Sequence, residues 1–147
     1  MTDNRYYLDT SALVKRYVAE EGASLVDEIY TGAYKGVNSI FFSYWNVAEV
    51  AVVFDKYQRT LGLDPHALME SFLRETKTLI SLNRLELIAV DQKIMERSIK
   101  LIFKYHIYVA DALQVVSAGV RDSQLVTADR TLAETARKEG LSVIVVL

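Results

Sequence analysis

Apolar positions along the chain recur in two rhythms. Short runs of β-branched and aromatic residues, each stopped by a polar residue, alternate with longer stretches in which apolar residues fall three and four apart. The first run, Tyr6-Tyr7-Leu8, is cut off by Asp9-Thr10-Ser11. It predicts a strand that ends on a carboxylate, followed by a helix over 12–19 that Ser11 can cap. Glu20-Glu21-Gly22 breaks that helix, and a second one over 23–34 gathers Leu25, Val26, Ile29 and Ala33 on one face. A strand over 37–42 and a third helix over 44–61, with Ser43 as its cap, come next. In that helix Val47, Ala48, Val50, Ala51, Val52, Val53 and Phe54 surround the axis, the pattern of a helix buried on more than one side. In a chain this small, a second subunit is one surface that would cover it.

Asp64-Pro65 signals a further helix start. The helix it opens carries Leu68, Met69, Phe72, Leu73, Leu79 and Ile80 at helical spacing. A strand over 85–90 leads to Asp91, a cap for a helix marked by Met95, Ile99, Ile102 and Phe103. The connection 104–108 precedes a helix from Val109. A strand over 124–127, a helix over 131–138 and a strand over 142–147 close the chain. Five strands alternating with helices imply a parallel sheet with right-handed crossovers and helices on both faces, a three-layer α/β/α fold. No repeat, linker or low-complexity tract interrupts it, so residues 1–147 are expected to form one domain.

Composition narrows the chemistry. Of 147 residues 51% are hydrophobic, yet no apolar run is long enough to cross a bilayer, and the polar start shows no signal peptide. A cytoplasmic protein that touches no membrane is the expectation. The chain has no cysteine and only two histidines, His66 and His106. A metal site would therefore be built from carboxylates, which favours Mg²⁺ or Mn²⁺. A net charge of −2 argues neither for nor against nucleic acid, and a binder of this charge needs a local basic patch or a metal.

Four acids stand out by position. Asp9 and Asp129 follow strand ends, Asp111 lies in the first turn of the helix from Val109, and Glu49 sits inside the apolar third helix. Each also has a plain structural reading: turn or cap for Asp9, an answer to the helix macrodipole for Asp111, simple exposure for Glu49. Strand ends and the starts of the following helices share one rim of a parallel sheet, so the four can converge there. Clustered carboxylates repel one another unless a cation neutralises them. The hydroxyls of Ser11 and Thr127 are placed to orient ligands or water around such a cation.

Tyr7-Leu8-Asp9-Thr10-Ser11-Ala12-Leu13-Val14-Lys15 resembles the opening motif of PIN-domain nucleases. Ala110-Asp111-Ala112-Leu113-Gln114, with His106 upstream, is similar to that family's third acidic motif. Leu125-Val126-Thr127-Ala128-Asp129, followed by Leu132 and Gly140-Leu141, is similar to the fourth. The second motif matches least: Ser43-Tyr44-Trp45-Asn46 stands where small or hydroxylated residues are usual. Glu49 is still the best-placed acid of that helix, ahead of Asp55. The compact size is most similar to VapC-type toxins of toxin–antitoxin pairs.

The resemblance implies a Mg²⁺- or Mn²⁺-dependent endoribonuclease. Asp9, Glu49, Asp111 and Asp129 would be the metal-binding and catalytic acids, with Ser11 and Thr127 in support. It also implies a homodimer and a small cognate antitoxin. Lys15 and Arg16, and beyond them Lys56 and Arg59, are candidate contacts to RNA phosphate, and surface tyrosines could stack on unpaired bases. Phosphoryl transfer through an aspartyl intermediate fits poorly, since Ser11 occupies the position where a phosphatase of that type needs a second acid. The alternative of another class is a catalytically silent PIN-fold module that binds RNA or protein.

Overall fold

The computed structural model describes residues 3–147. Five strands form one parallel sheet in the order β3-β2-β1-β4-β5. They are β1 (Asn4–Leu8), β2 (Asn38–Ser43), β3 (Leu85–Ile88), β4 (Gln124–Thr127) and β5 (Val143–Val145). Seven helices connect them: α1 (Thr10–Leu13), α2 (Ala23–Tyr34), α3 (Tyr44–Leu61), α4 (Pro65–Ser81), α5 (Gln92–Tyr105), α6 (Val109–Val120) and α7 (Arg130–Lys138). The three-layer α/β/α expectation holds.

Period-two alternation builds the layers. Leu8, Phe42 and Val126 point to one face, where they pack with Leu13, Tyr30, Phe54, Phe72 and Leu79 from α1 to α4. Their neighbours Tyr7, Phe41 and Leu125 point to the other, against Ile94, Leu101, Leu113 and Leu132 from α5, α6 and α7. Among the described residues no helix is long and apolar enough to cross a membrane.

Punctuation falls mostly where the sequence puts it. Asp64 caps α4 through the His66 and Ala67 amides, and Asp91 caps α5 through Ile94 N–H. Ser43 caps α3 in a reciprocal capping box with Asn46. Gly62 ends that helix at φ +67°, a left-handed turn that glycine adopts without strain. Two expectations need correction. The first helix is only four residues, Thr10–Leu13, and tightens into a 3₁₀ turn at Val14–Arg16 rather than running to 19. Its cap is Asp9, whose Oδ1 accepts the Ala12 N–H at 3.0 Å, and not Ser11. Within the single chain α3 is buried along one stripe, Asn46, Val50 and Phe54, and Tyr44, Trp45, Val52 and Leu61 are exposed, which leaves apolar surface of the kind expected to meet a second subunit.

Candidate active site

Strand order and register bring the acidic positions to one rim. The chain fills the sheet from β1 outward through β2 to β3, then returns to β4 on the other side of β1. The carboxyl ends of β1 and β4 therefore flank the switch point, the crevice where open parallel sheets bind ligands. Leu8 is in register with Val126, and the Asp9 N–H continues the ladder to Val126 O at 3.2 Å. Asp9 thus comes to lie beside Thr127, with Ala128 and Asp129 just beyond.

Asp9 is 4% exposed and is held from three sides. Its Oδ1 accepts from Ser11 Oγ at 2.7 Å as well as from Ala12 N–H, and its Oδ2 accepts from Thr127 Oγ1 at 2.5 Å. Ser11 in turn accepts the Ala128 N–H at 2.8 Å, and Thr127 accepts the Asp129 N–H at 2.9 Å. The hydroxyls of Ser11 and Thr127 therefore tie the two strand ends together through the Asp9 carboxylate. Every one of these partners is neutral. Burial pushes the Asp9 pKa from 3.8 up to about 6 against the pull of the hydrogen bonds, and the negative charge of Asp129 adds to the rise.

The other acids stand nearer to water. Asp129 caps α7, its Oδ1 accepting from Thr131 and Leu132 N–H at 2.9 and 3.1 Å. Asp111 is half-buried in the first turn of α6, and burial together with the charges of Asp129 and Glu49 raises its pKa. Glu49, on α3, accepts at Oε1 from Thr10 Oγ1 at 2.8 Å and from Gln114 Nε2 at 3.3 Å. It is neither a lone buried carboxylate nor an exposed one.

Repulsion from Asp129 adds to the effect of burial on Asp9, and repulsion from Asp129 and Glu49 adds to it on Asp111. Among the described residues none of the four takes part in an ion pair. The donor set, all oxygen and all negative, suits Mg²⁺ or Mn²⁺ in chemistry and in charge. In the side-chain positions shown, no three acids or histidines among the described residues close into one metal-holding group.

A polar network that the sequence reading gave no role underlies the site. Tyr7 OH lies 2.9 Å from Asn46 Oδ1 and 2.7 Å from Gln114 Oε1. Asn46 Nδ2 donates to Thr10 Oγ1 at 3.1 Å and to Gln114 Oε1 at 3.0 Å. The signal was present as polar residues, Asn46 and Gln114, on otherwise core-facing turns of their helices. Lys15 and Arg16, in contrast, are spent inside the protein. Lys15 is buried and donates to Glu21 O at 2.6 Å. Arg16 forks onto Glu75 with two bonds of 2.9 Å, bonds Asp27 at 2.8 Å and stacks over the Tyr30 ring at 4.7 Å. Contact of either with RNA phosphate, expected from the sequence, would compete with these bonds, and a guanidinium bonded to two carboxylates has little left to offer.

A PIN domain model matches residues 6–138, nearly the whole chain. This chain belongs to the PIN domain family. The PIN chain is similar in fold to VapBC2 from Rickettsia felis bound to a DNA fragment from its promoter, at 19% identity and TM-score 0.63, over 97% of this chain and 99% of that one. It is similar to FitAcB from Neisseria gonorrhoeae at 17% identity and TM-score 0.62, over 95% and 96%. It is also similar to VapBC-5 of Mycobacterium tuberculosis, a member of the VapBC toxin–antitoxin family, at 18% identity and TM-score 0.52, over 97% of both chains. No curated protein matches the chain. At these identities the structural likeness establishes the PIN fold and nothing finer.

Proposed function

We propose that this PIN domain is a divalent-metal-dependent endoribonuclease and the toxin of a toxin–antitoxin pair. The observation that carries the reading is the buried Asp9 carboxylate at the switch point. It is bonded only to neutral donors, and three more acids beside it have no cationic partner among the described residues. A protein that keeps an unneutralised charge in its rim pays for it in stability, and a cation recovers that cost. Toxin–antitoxin assemblies among the structures of similar fold support the toxin assignment.

Asp9, Glu49, Asp111 and Asp129 would hold the ion. When bound, Mg²⁺ or Mn²⁺ supplies an activated water and neutralises charge on the scissile phosphate. Ser11 and Thr127 keep Asp9 in one rotamer, so its position is set before any ligand arrives. Asp129, fixed as the α7 cap, sits where the dipole of that helix steadies its charge. The exposed outer face of α3, with Trp45 and Val52, is the surface we assign to a homodimer. A small antitoxin is the expected protein partner.

The test is cleavage of a mixed RNA pool by the wild type and by Asp111→Asn, each with Mn²⁺, with Mg²⁺ and with EDTA. Cleavage by the wild type alone, abolished by EDTA, is the expected result. A second reading, a silent binding module, is favoured by one observation: no three acids close into a metal-holding group among the described residues. RNA retained without cleavage in either metal would select it.

A further inference from the structure

Glu49 is the acid whose local sequence matches least, yet its orientation is fixed by a chain of hydrogen bonds that starts at the backbone. The Ser43 N–H can only donate, and it lies 2.8 Å from the Asn46 side-chain oxygen. That contact settles which end of the Asn46 amide is oxygen. The Nδ2 end must then face Thr10 Oγ1 and Gln114 Oε1. Gln114, accepting from Asn46 and lying 2.7 Å from the Tyr7 hydroxyl, must present its Nε2 to Glu49. Thr10, accepting from Asn46, has its own proton free for Glu49. Flipping either amide would set oxygen against oxygen at one end and N–H against N–H at the other.

We propose, resting on the metal-nuclease reading above, that Gln114 and Thr10 are positioning residues. They lock Oε1 of Glu49 and leave Oε2 as the oxygen offered to the divalent cation. Gln114 is 3% exposed, and Asn46 and Ser43 are fully buried, so the inner bonds of the chain are shielded from water and the two on Glu49 lie at the edge of the rim, part-buried. The network joins α3 to α6, the helices that carry Glu49 and Asp111, and so couples the placement of the two acids. A carboxylate held at one oxygen loses little rotamer freedom when the other binds an ion, and such supporting bonds govern metal affinity.

The experiment is calorimetric titration of the full chain with Mn²⁺, for the wild type, Gln114→Met and Thr10→Val. Each variant is also made on a Glu49→Gln background. Gln114→Met keeps length and removes the donor, and each single variant should weaken Mn²⁺ binding on the order of 10-fold. On the Glu49→Gln background the same changes should cost no further affinity, because the group they orient is no longer a ligand. Gln114→Met also strips an acceptor from Tyr7 and Asn46, and where it fails to fold Thr10→Val decides. Wild-type affinity in a folded variant, or an equal loss on both backgrounds, overturns the proposal and leaves the metal site standing. A wild type that binds no Mn²⁺ overturns the metal-site reading itself, and this inference with it.

Discussion

Replacing Asp9 by asparagine should stabilise the metal-free protein while abolishing the activity proposed for it. Asp9 is 4% exposed, and its raised pKa, about 6 against 3.8, owes most to burial. An acid whose pKa is higher folded than unfolded binds its proton more tightly in the fold. Its contribution is therefore neutral below the unfolded value, grows unfavourable between about pH 4 and about pH 6, and stays constant above that. Roughly two units at about 1.4 kcal/mol each make the full penalty about 3 kcal/mol. Asparagine keeps an oxygen for the Ala12 N–H and the Ser11 hydroxyl and carries no charge. Its amide would face Thr127 Oγ1, which must then accept rather than donate, and that exchange consumes part of the gain.

The expected net stabilisation is about 1–3 kcal/mol near neutral pH, or roughly 3–10 °C in Tm for a chain of this size. Urea unfolding in EDTA should show a difference that is small near pH 4 and full by about pH 7. Added Mn²⁺ should narrow it, because only the wild type gains a ligand. The reasoning is refuted if Asp9→Asn is less stable than the wild type at neutral pH in EDTA. A difference that ignores pH would refute it equally, since the carboxylate would then be serving the fold as a cap and not waiting on a cation.

Arg16→Met should cost about 2–4 kcal/mol in urea unfolding, because it leaves the largely buried Glu75 carboxylate of α4 with no cationic partner and only the neutral hydroxyls of Tyr17 and Tyr34. Burial opposes ionisation of Glu75, but bonds from Arg16, Tyr17 and Tyr34 outweigh it and hold its pKa below the usual value. The stability it adds is present at neutral pH and lost as pH falls through that lowered value, and Arg16→Met should flatten this acid limb. Tyr108, 84% exposed at the start of the helix that carries Asp111, is placed to stack on an unpaired base. Tyr108→Ala should slow cleavage of single-stranded RNA about 10-fold at unchanged Tm, and an unchanged rate would dismiss the stacking role. Val52→Asp, on the outer face of α3, should halve the mass seen by light scattering, and a wild type that is already monomeric would rule out that seam.

The layers were legible because the chain's two periodicities are clean. Tyr7 and Leu8, or Phe41 and Phe42, can only face opposite ways in a strand, and each pair divides between the two cores. The rim positions of Asp9 and Asp129 followed from strand ends alone. Which stripe of α3 the chain itself buries was not legible, for a physical reason. Val52 and Ala48 look like core by composition, but a helix on one side of a sheet has a single stripe to bury, and composition does not say which third of an apolar surface that is. The engagement of Arg16 had no local signature, because Glu75 lies far away in sequence, whereas Lys15 is held by Glu20 and Glu21 close by in the chain.

The polar network was the hardest feature to read, and its location explains why. Along its length the sheet separates α3, packed with the first core, from α6, packed with the second. Past the ends of β1 and β2 that separator stops, and Asn46 of α3 meets Gln114 of α6 directly. A contact there lies close to the open rim and the acids, where apolar side chains would leave Glu49 unsupported and Tyr7 OH without a partner. The same junction that lets the two layers touch also gives the site acids from both. Glu49 comes from one layer, Asp111 from the other, and Asp9 from the strand between them. The geometry that makes an oxygen-lined site available is therefore the geometry that requires buried amides to hold it, and neither is visible in any single stretch of the chain.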